Sequence, residues 1–210
     1  MFRNLFKPDS DLMIVMTQLT DCIFLSMFWL LGCLPVVTMG ASCAALYDSV
    51  YRGLRKGDKH SWQRFASVFR ENWKAGILPT LVFLVLGSLV GRGVILAWNA
   101  VAAGRAPWML FSVAALLGVL ALGILSLLFP VLSRFENSLG GLLKNTLLLG
   151  LGHLPSVLFL GAVYAFAGYL CARFVFPLFF LPALASLIGS LFVEPMLRPF
   201  MPPEAGEPGC

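Results

Sequence analysis

Two charged side chains lie inside apolar stretches of this chain, where an ionised group is costly. Asp21 is near the start of the first apolar stretch, and Arg92 lies within the second. Charges in hydrocarbon are expensive unless they are paired. We therefore predict a salt bridge between Asp21 and Arg92. The alternative is that each side chain reaches the outer membrane interface independently.

A second polar cluster, "SRFEN", follows the third apolar stretch. Its Arg134, Glu136 and Asn137 have the chemistry to bind a partner protein or a polar lipid headgroup. Adjacent opposite charges are also ordinary at the end of a helix that leaves a membrane. A structural role for the cluster is therefore the alternative.

The sequence carries none of the common enzyme motifs. There is no HExxH, no GxSxG, no glycine-rich phosphate loop and no pair of aspartates within an apolar stretch. The five cysteines and two histidines are scattered without the spacing of metal ligands. We predict a protein that is not an enzyme and that requires no cofactor or metal.

The composition places these residues in a membrane. Of the 210 residues, 59% are hydrophobic and 12% are charged, whereas soluble domains carry about 25% charged residues. The net charge of +5 arises from basic residues between the apolar stretches, which is the pattern of cytoplasmic loops in membrane proteins. We expect the lipid bilayer as a partner and no nucleic acid.

The apolar stretches predict an all-α polytopic membrane protein with about five transmembrane helices. The spans are expected at about residues 17–37, 77–98, 108–129, 155–172 and 176–193. They form one transmembrane domain over residues 1–198, followed by a disordered tail at 199–210. Ten lysines and arginines on one side of this topology, against four on the other, place the C-terminus in the cytoplasm.

The connection between the first two spans predicts two amphipathic cytoplasmic helices. The first begins near residue 41, with apolar residues on one face and arginines on the other. The second places Trp62, Phe65, Phe69 and Trp73 at spacings of three, four and four. It either lies at the inner membrane interface or extends the second span, and it binds lipid or protein.

The stretch "CLPVVTMGAS", residues 33–42, predicts the end of the first span. Pro35 disfavours helical structure at the residue before it and removes a backbone donor. Thr38 is then expected to cap a new helix that begins at Gly40 or Ala41. A secretory signal is excluded because acidic residues precede an apolar run that is too long for one.

Two short motifs recur along the chain. "LPVVT" and "FPVLS" close the first and third spans, and "GILPTLVFL" and "GHLPSVLFL" open the second and fourth. This pattern favours a parallel repeat of two helical hairpins, as found in transport-type folds. The alternative is that Leu-Pro pairs recur by chance at helix ends.

Three longer blocks carry a family resemblance: "LPVVTMGASCAALY", "FRENWKAG" and "SRFENSLGGLLKN". In this order they resemble the recurring blocks of the YesL-like bacterial membrane proteins, domain-of-unknown-function family 624, over roughly residues 10–195. The resemblance implies a multi-pass protein of the bacterial plasma membrane, often encoded beside carbohydrate-uptake and polysaccharide-degradation genes. It implies no catalytic residues, since the family has none assigned.

We therefore expect a protein that is accessory to carbohydrate (oligosaccharide) uptake, as a partner of the subunits of a sugar ABC importer. The alternative is an autonomous small transporter or channel, which could act as a homo-oligomer. A third hypothesis is a relative of the importer permeases, because "FRENWKAGILP" is similar to their cytoplasmic coupling segment.

Overall fold

The chain is mainly helical in the residues that the computed structural model describes, which are 11–55, 60–134 and 139–197. No strand occurs in those ranges, in agreement with the predicted all-α class. The α-helices are α1 (Asp11–Cys33), α2 (Met39–Val50), α3 (Ser61–Asn72), α4 (Ile77–Ala102), α5 (Trp108–Ser126), α6 (Leu128–Arg134), α7 (Leu139–Gly152), α8 (Leu154–Arg173) and α9 (Leu181–Leu197).

Among the described residues, three helical segments are long and apolar enough to cross a membrane: Ile77–Ala102, Trp108–Ser133 and Leu154–Arg173. They correspond to the second, third and fourth predicted spans. The first and fifth predicted spans fall on shorter apolar helices, Thr17–Cys33 and Leu181–Leu197. The large apolar side chains that α4, α5 and α8 leave exposed, such as Leu89, Leu117 and Phe166, suit contact with lipid.

Prolines set the ends of the two shorter helices. α1 ends at Cys33 rather than at the predicted residue 37, because Leu34 precedes Pro35 and leaves the helix. A 3₁₀ turn, Phe176–Phe179, contains Pro177 and delays α9 to Leu181, later than the predicted start at residue 176. Both copies of the Gly-x-Leu-Pro motif begin a candidate membrane helix, with Pro79 in the first turn of α4 and Pro155 in that of α8.

Helix α2 forms the centre of the molecule. The sequence predicts one apolar and one charged face for this helix, but the residues of α2 from Gly40 to Val50, apart from Cys43, are buried. The helix packs against α1, α3, α4, α6 and α9. Its many small residues, such as Ala41, Ala44 and Ala45, let neighbours approach on both faces. The pattern of larger apolar residues alone suggested only one buried face.

Helices α5 and α8 cross at a pair of glycines. A Cβ atom on Gly161 would overlap the backbone carbonyl oxygen of Val119, and one on Gly123 would overlap that of Val157. The two backbones are therefore in direct contact at this crossing, which is how small residues serve membrane helix packing. This contact joins the second and third candidate spans along the chain.

Candidate functional site

The structure brings four of the predicted interaction residues to one groove between α1 and α3. Pro35 and Thr38 form its end, and Phe65 and Phe69 line its α3 side. The groove has a volume of about 470 Å³. The other described residues of its wall are Phe28, Leu31, Gly32, Ala66 and Arg70. It is an open, mainly apolar surface with one cationic side chain at its edge.

Stacked aromatic rings hold α3 in place beside this groove. The rings of Phe65 and Phe69 stack at 6.2 Å with an interplanar angle of 10°, and Phe28 of α1 lies 6.0 Å from Phe65. Phe65 and Val68 are buried. The groove therefore has a packed floor and is continuous with a core that includes Leu25 and Leu46.

The four predicted aromatic residues, three on α3 and Trp73 directly after its end, do not share one environment. Phe65 and Phe69 face the protein, whereas Trp62 and Trp73 are 56% and 48% exposed. The spacing of residues 62, 66, 69 and 73 places them along one stripe of α3 at the groove. Exposed Arg70 lies on the same stripe. The result is a surface of two tryptophans and one arginine beside an apolar depression.

Thr38 does not cap α2 through its side chain, although it occupies the N-cap position. Its hydroxyl donates to the carbonyl oxygens of Gly32 at 2.7 Å and Pro35 at 2.9 Å, which closes the corner after α1. The capping acceptor comes from α4, where Thr80 Oγ1 accepts the N–H of Gly40 at 2.8 Å. Thr80 also donates to the carbonyl oxygen of Gly76 at 2.6 Å. No local pattern in the sequence pointed to Thr80.

A buried ion cluster joins α2 to α3. Asp48 is only 2% exposed, and its Oδ2 accepts a hydrogen bond from Arg64 Nε at 2.7 Å. Its Oδ1 accepts from Arg52 Nε at 3.3 Å. The aspartate thus fixes the helix that carries the exposed tryptophans. The signal that could have revealed it was an acidic residue in the middle of the small, apolar α2 sequence.

A second buried carboxylate binds the residue that precedes Asp48 in α2. Glu194 of α9 is buried, and its Oε1 accepts a hydrogen bond from the Tyr47 hydroxyl at 3.1 Å. Because Tyr47 and Asp48 are consecutive, α2 binds α9 through one residue and α3 through the next. Within the described ranges, no group of three or more His, Cys, Asp or Glu residues is placed to hold a metal ion.

The predicted salt bridge between Asp21 and Arg92 is not formed. Asp21 is half-buried on α1, Arg92 is exposed on α4, and the two side chains make no ion pair within 4.0 Å. Ion pairs are formed instead by Asp48, which lies outside the candidate spans and binds Arg52 and Arg64. Glu136 and Asn137 lie outside the described residues, as does the side chain of Arg134.

The interior of the bundle contains a separate cavity of about 300 Å³. Its wall is built by α1, α2, α4, α5, α6, α8 and α9 and contains Trp29, Tyr47, Phe83, Phe129 and Tyr164. Cys43 also lines it and accepts a hydrogen bond from Trp29 Nε1 at 3.3 Å. The neighbouring Cys33 thiol and then this indole, as hydrogen-bond donors, lower the pKa of the Cys43 thiol, although burial acts in the opposite direction.

Within the described residues, the absence of strands and the three long apolar helices indicate that this molecule is a helical membrane protein. Residues 22–93 match the family described as "Protein of unknown function, DUF624", which confirms the predicted family resemblance over that part of the chain. The match runs from α1 to α4 and contains the first two of the three sequence blocks. No curated protein matches the chain, and no solved structure does.

Proposed function

We propose that this protein is a non-enzymatic accessory of carbohydrate uptake that docks on a subunit of a sugar ABC importer through the α1–α3 groove. The observation that carries the proposal is the exposed pair Trp62 and Trp73 beside Arg70, on a helix that is not a candidate span. Tryptophan and arginine are the residues most often found at the energetic centres of protein interfaces. The carbohydrate context comes from the family resemblance.

The rigid attachment of α3 supports a docking role. The ion pair between Arg64 and Asp48 and the stacked Phe65 and Phe69 hold the helix before a partner arrives. A pre-organised surface loses less conformational entropy on binding than a mobile one. The apolar groove, whose α3 side is lined by Phe65, Ala66 and Phe69, offers space for side chains of a partner helix.

The proposed topology has five transmembrane helices in a bacterial plasma membrane, with α1 and α9 crossing in addition to the three candidate spans. At about 1.5 Å per residue, the 23 residues of α1 extend to about 34 Å and the 17 of α9 to about 26 Å. In this topology α3 and the C-terminus lie in the cytoplasm, where α3 can meet importer subunits.

Autonomous sugar transport is the competing proposal, and the interior cavity gives it little support. None of the described residues in the cavity wall is charged, and most are aromatic or aliphatic. A sugar that crosses a bundle needs hydrogen-bond partners for its hydroxyl groups, because unpaired polar groups are costly in an apolar site. The groove, and not the cavity, therefore carries the proposed function.

The test is affinity purification in mild detergent from cells grown on a complex polysaccharide, with mass spectrometry of the bound proteins. We expect stoichiometric importer subunits with the wild-type protein and their loss from Trp62→Ala and Arg70→Glu. Matched controls are Trp108→Ala and Arg105→Glu. Both residues are exposed and lie where α4 connects to α5, at the end of α4 that is farther along the chain from α3. Equal recovery from all four variants would contradict docking at the groove.

Recovery of the wild-type protein alone, across several detergents, would contradict the accessory role itself. Sugar flux into proteoliposomes that contain only this protein would then support autonomous transport.

A further inference from the structure

We infer that the interior cavity is a binding site for one acyl chain of a membrane phospholipid, which enters beside α8. The site is distinct from the groove of the proposed function and does not depend on it. At about 300 Å³ the cavity reaches the lower end of the range of small-molecule sites. Apolar cavities of about half this size already bind hydrocarbon guests.

The chemistry of the wall selects an apolar guest. Its carbon surface comes from aromatic and aliphatic residues such as Phe83, Leu122 and Phe129. The main polar groups already have protein partners: Ser126 donates to the Leu122 carbonyl oxygen at 2.7 Å, and the Tyr47 hydroxyl donates to Glu194 at 3.1 Å. A guest with hydroxyl groups or charge would lose its hydration without replacement.

Further polar groups in the wall follow the same pattern. Trp29 donates its indole N–H to Cys43, and the hydroxyl of Tyr164 lies beside that of Ser186. These polar side chains of the wall therefore have partners within the protein. An acyl chain, which has no hydrogen-bond donor or acceptor, fits this surface.

The cavity opens at a helix that faces lipid. Gly168 is part of the wall and is itself exposed, and a Cβ atom placed on it would have nothing within 4 Å. It belongs to α8, which is long and apolar enough to cross a membrane. On the same helix Phe166 and Tyr169 are 64% and 66% exposed. A chain from the surrounding bilayer can therefore enter without crossing a polar surface.

Trp29 in the wall provides the reporter for a test. The other four tryptophans are replaced by phenylalanine, and the full chain is reconstituted in phosphatidylcholine with either brominated or ordinary acyl chains. Bromine quenches indole fluorescence at close range, so the ratio of the two intensities reports chains near Trp29. Because both intensities are measured on the same variant, their ratio does not depend on how a substitution changes the fluorescence of Trp29 itself.

Gly168→Phe places a bulky ring at the opening, and Gly87→Phe is its matched control on α4, at another glycine with open space around it. We expect the quenching of Trp29 to fall by about half in Gly168→Phe, since a blocked cavity leaves only lipid outside the bundle as quencher. Gly87→Phe should quench like the parent protein. Equal quenching in all three proteins, or an equal fall in both variants, would overturn the inference.

A second variant keeps the test decisive if Gly168→Phe does not fold, as judged by size-exclusion chromatography. Ala167→Phe fills the wall from the adjacent position. It should reduce quenching in the same way, and full quenching in a folded Ala167→Phe protein would also overturn the inference.

Discussion

At the scale of single residues, the strongest interactions involve groups that carry no recognisable motif. Asp48 joins α2 to the next helix, α3, through an ion pair, and Thr80 joins α4 to α2 through a helix cap. Both are nearly inaccessible, at 2% exposure. Buried polar groups are costly when a partner is removed, so each makes a sharp prediction.

We predict that Asp48→Asn destabilises the protein by about 1–3 kcal/mol. Loss of one partner of a buried ion pair costs more than this, but Arg52 and Arg64 are about a third exposed and water screens them. The measurement is the fraction of protein that stays monodisperse in detergent after heating. Glu71→Gln, at an exposed acidic residue of α3, is the control and should leave the midpoint unchanged.

We predict that Thr80→Val, which keeps the shape of the side chain, lowers stability by about 1–3 kcal/mol because the buried N–H of Gly40 loses its acceptor. Ser88→Ala removes an exposed hydroxyl from the same helix and should have little effect. The same heating assay compares the two. An unchanged midpoint for Thr80→Val would show that the start of α2 does not depend on this cap.

At the scale of elements, the crossing of α5 and α8 depends on the absence of side chains. The backbone around Val119 leaves no room for a Cβ atom at Gly161, whereas Gly168 on the same helix is open. Two glycines of one helix therefore have opposite tolerance to the same substitution.

We predict that Gly161→Ala lowers stability by about 1–3 kcal/mol through overpacking of the crossing. Gly168→Ala should be neutral or slightly stabilising, since alanine loses less backbone entropy than glycine in a helix. Thermal midpoints of both variants in the same detergent check the pair. Equal midpoints would contradict a close α5–α8 contact in the membrane.

At the scale of the whole molecule, the proposed topology separates the two ends of α4. In the proposed topology, the turn after α4 lies outside the cell and α3, which precedes α4, lies in the cytoplasm. We predict that, in a cysteine-free background, Ala103→Cys reacts with a membrane-impermeant maleimide on intact cells. Gln63→Cys, an exposed position of α3, should react only after permeabilisation. The reverse pattern would invert the topology, and labelling of both on intact cells would contradict a crossing by α4.

Much of the helical pattern could be predicted from the sequence. Long apolar runs are helical in a membrane because every backbone N–H and C=O must be paired within the segment, so the spans at residues 77–98, 108–129 and 155–172 coincide with candidate membrane helices. Pro35 placed the end of α1 to within a few residues. The helices were predictable because the causes are local.

Only the tertiary structure decided which residues meet. The sequence paired Asp21 with Arg92 by their depth in the membrane, yet the ion pairs belong to Asp48, because the packing of α2 against α3 brings Arg64 within reach. The sequence likewise predicted one apolar and one charged face for α2, although small side chains let other helices surround it. Hydropathy and proline positions determine where helices begin and end, because their effects are local in the sequence. Which side chains contact one another depends on their shapes and on how the helices pack, and only the tertiary structure shows this.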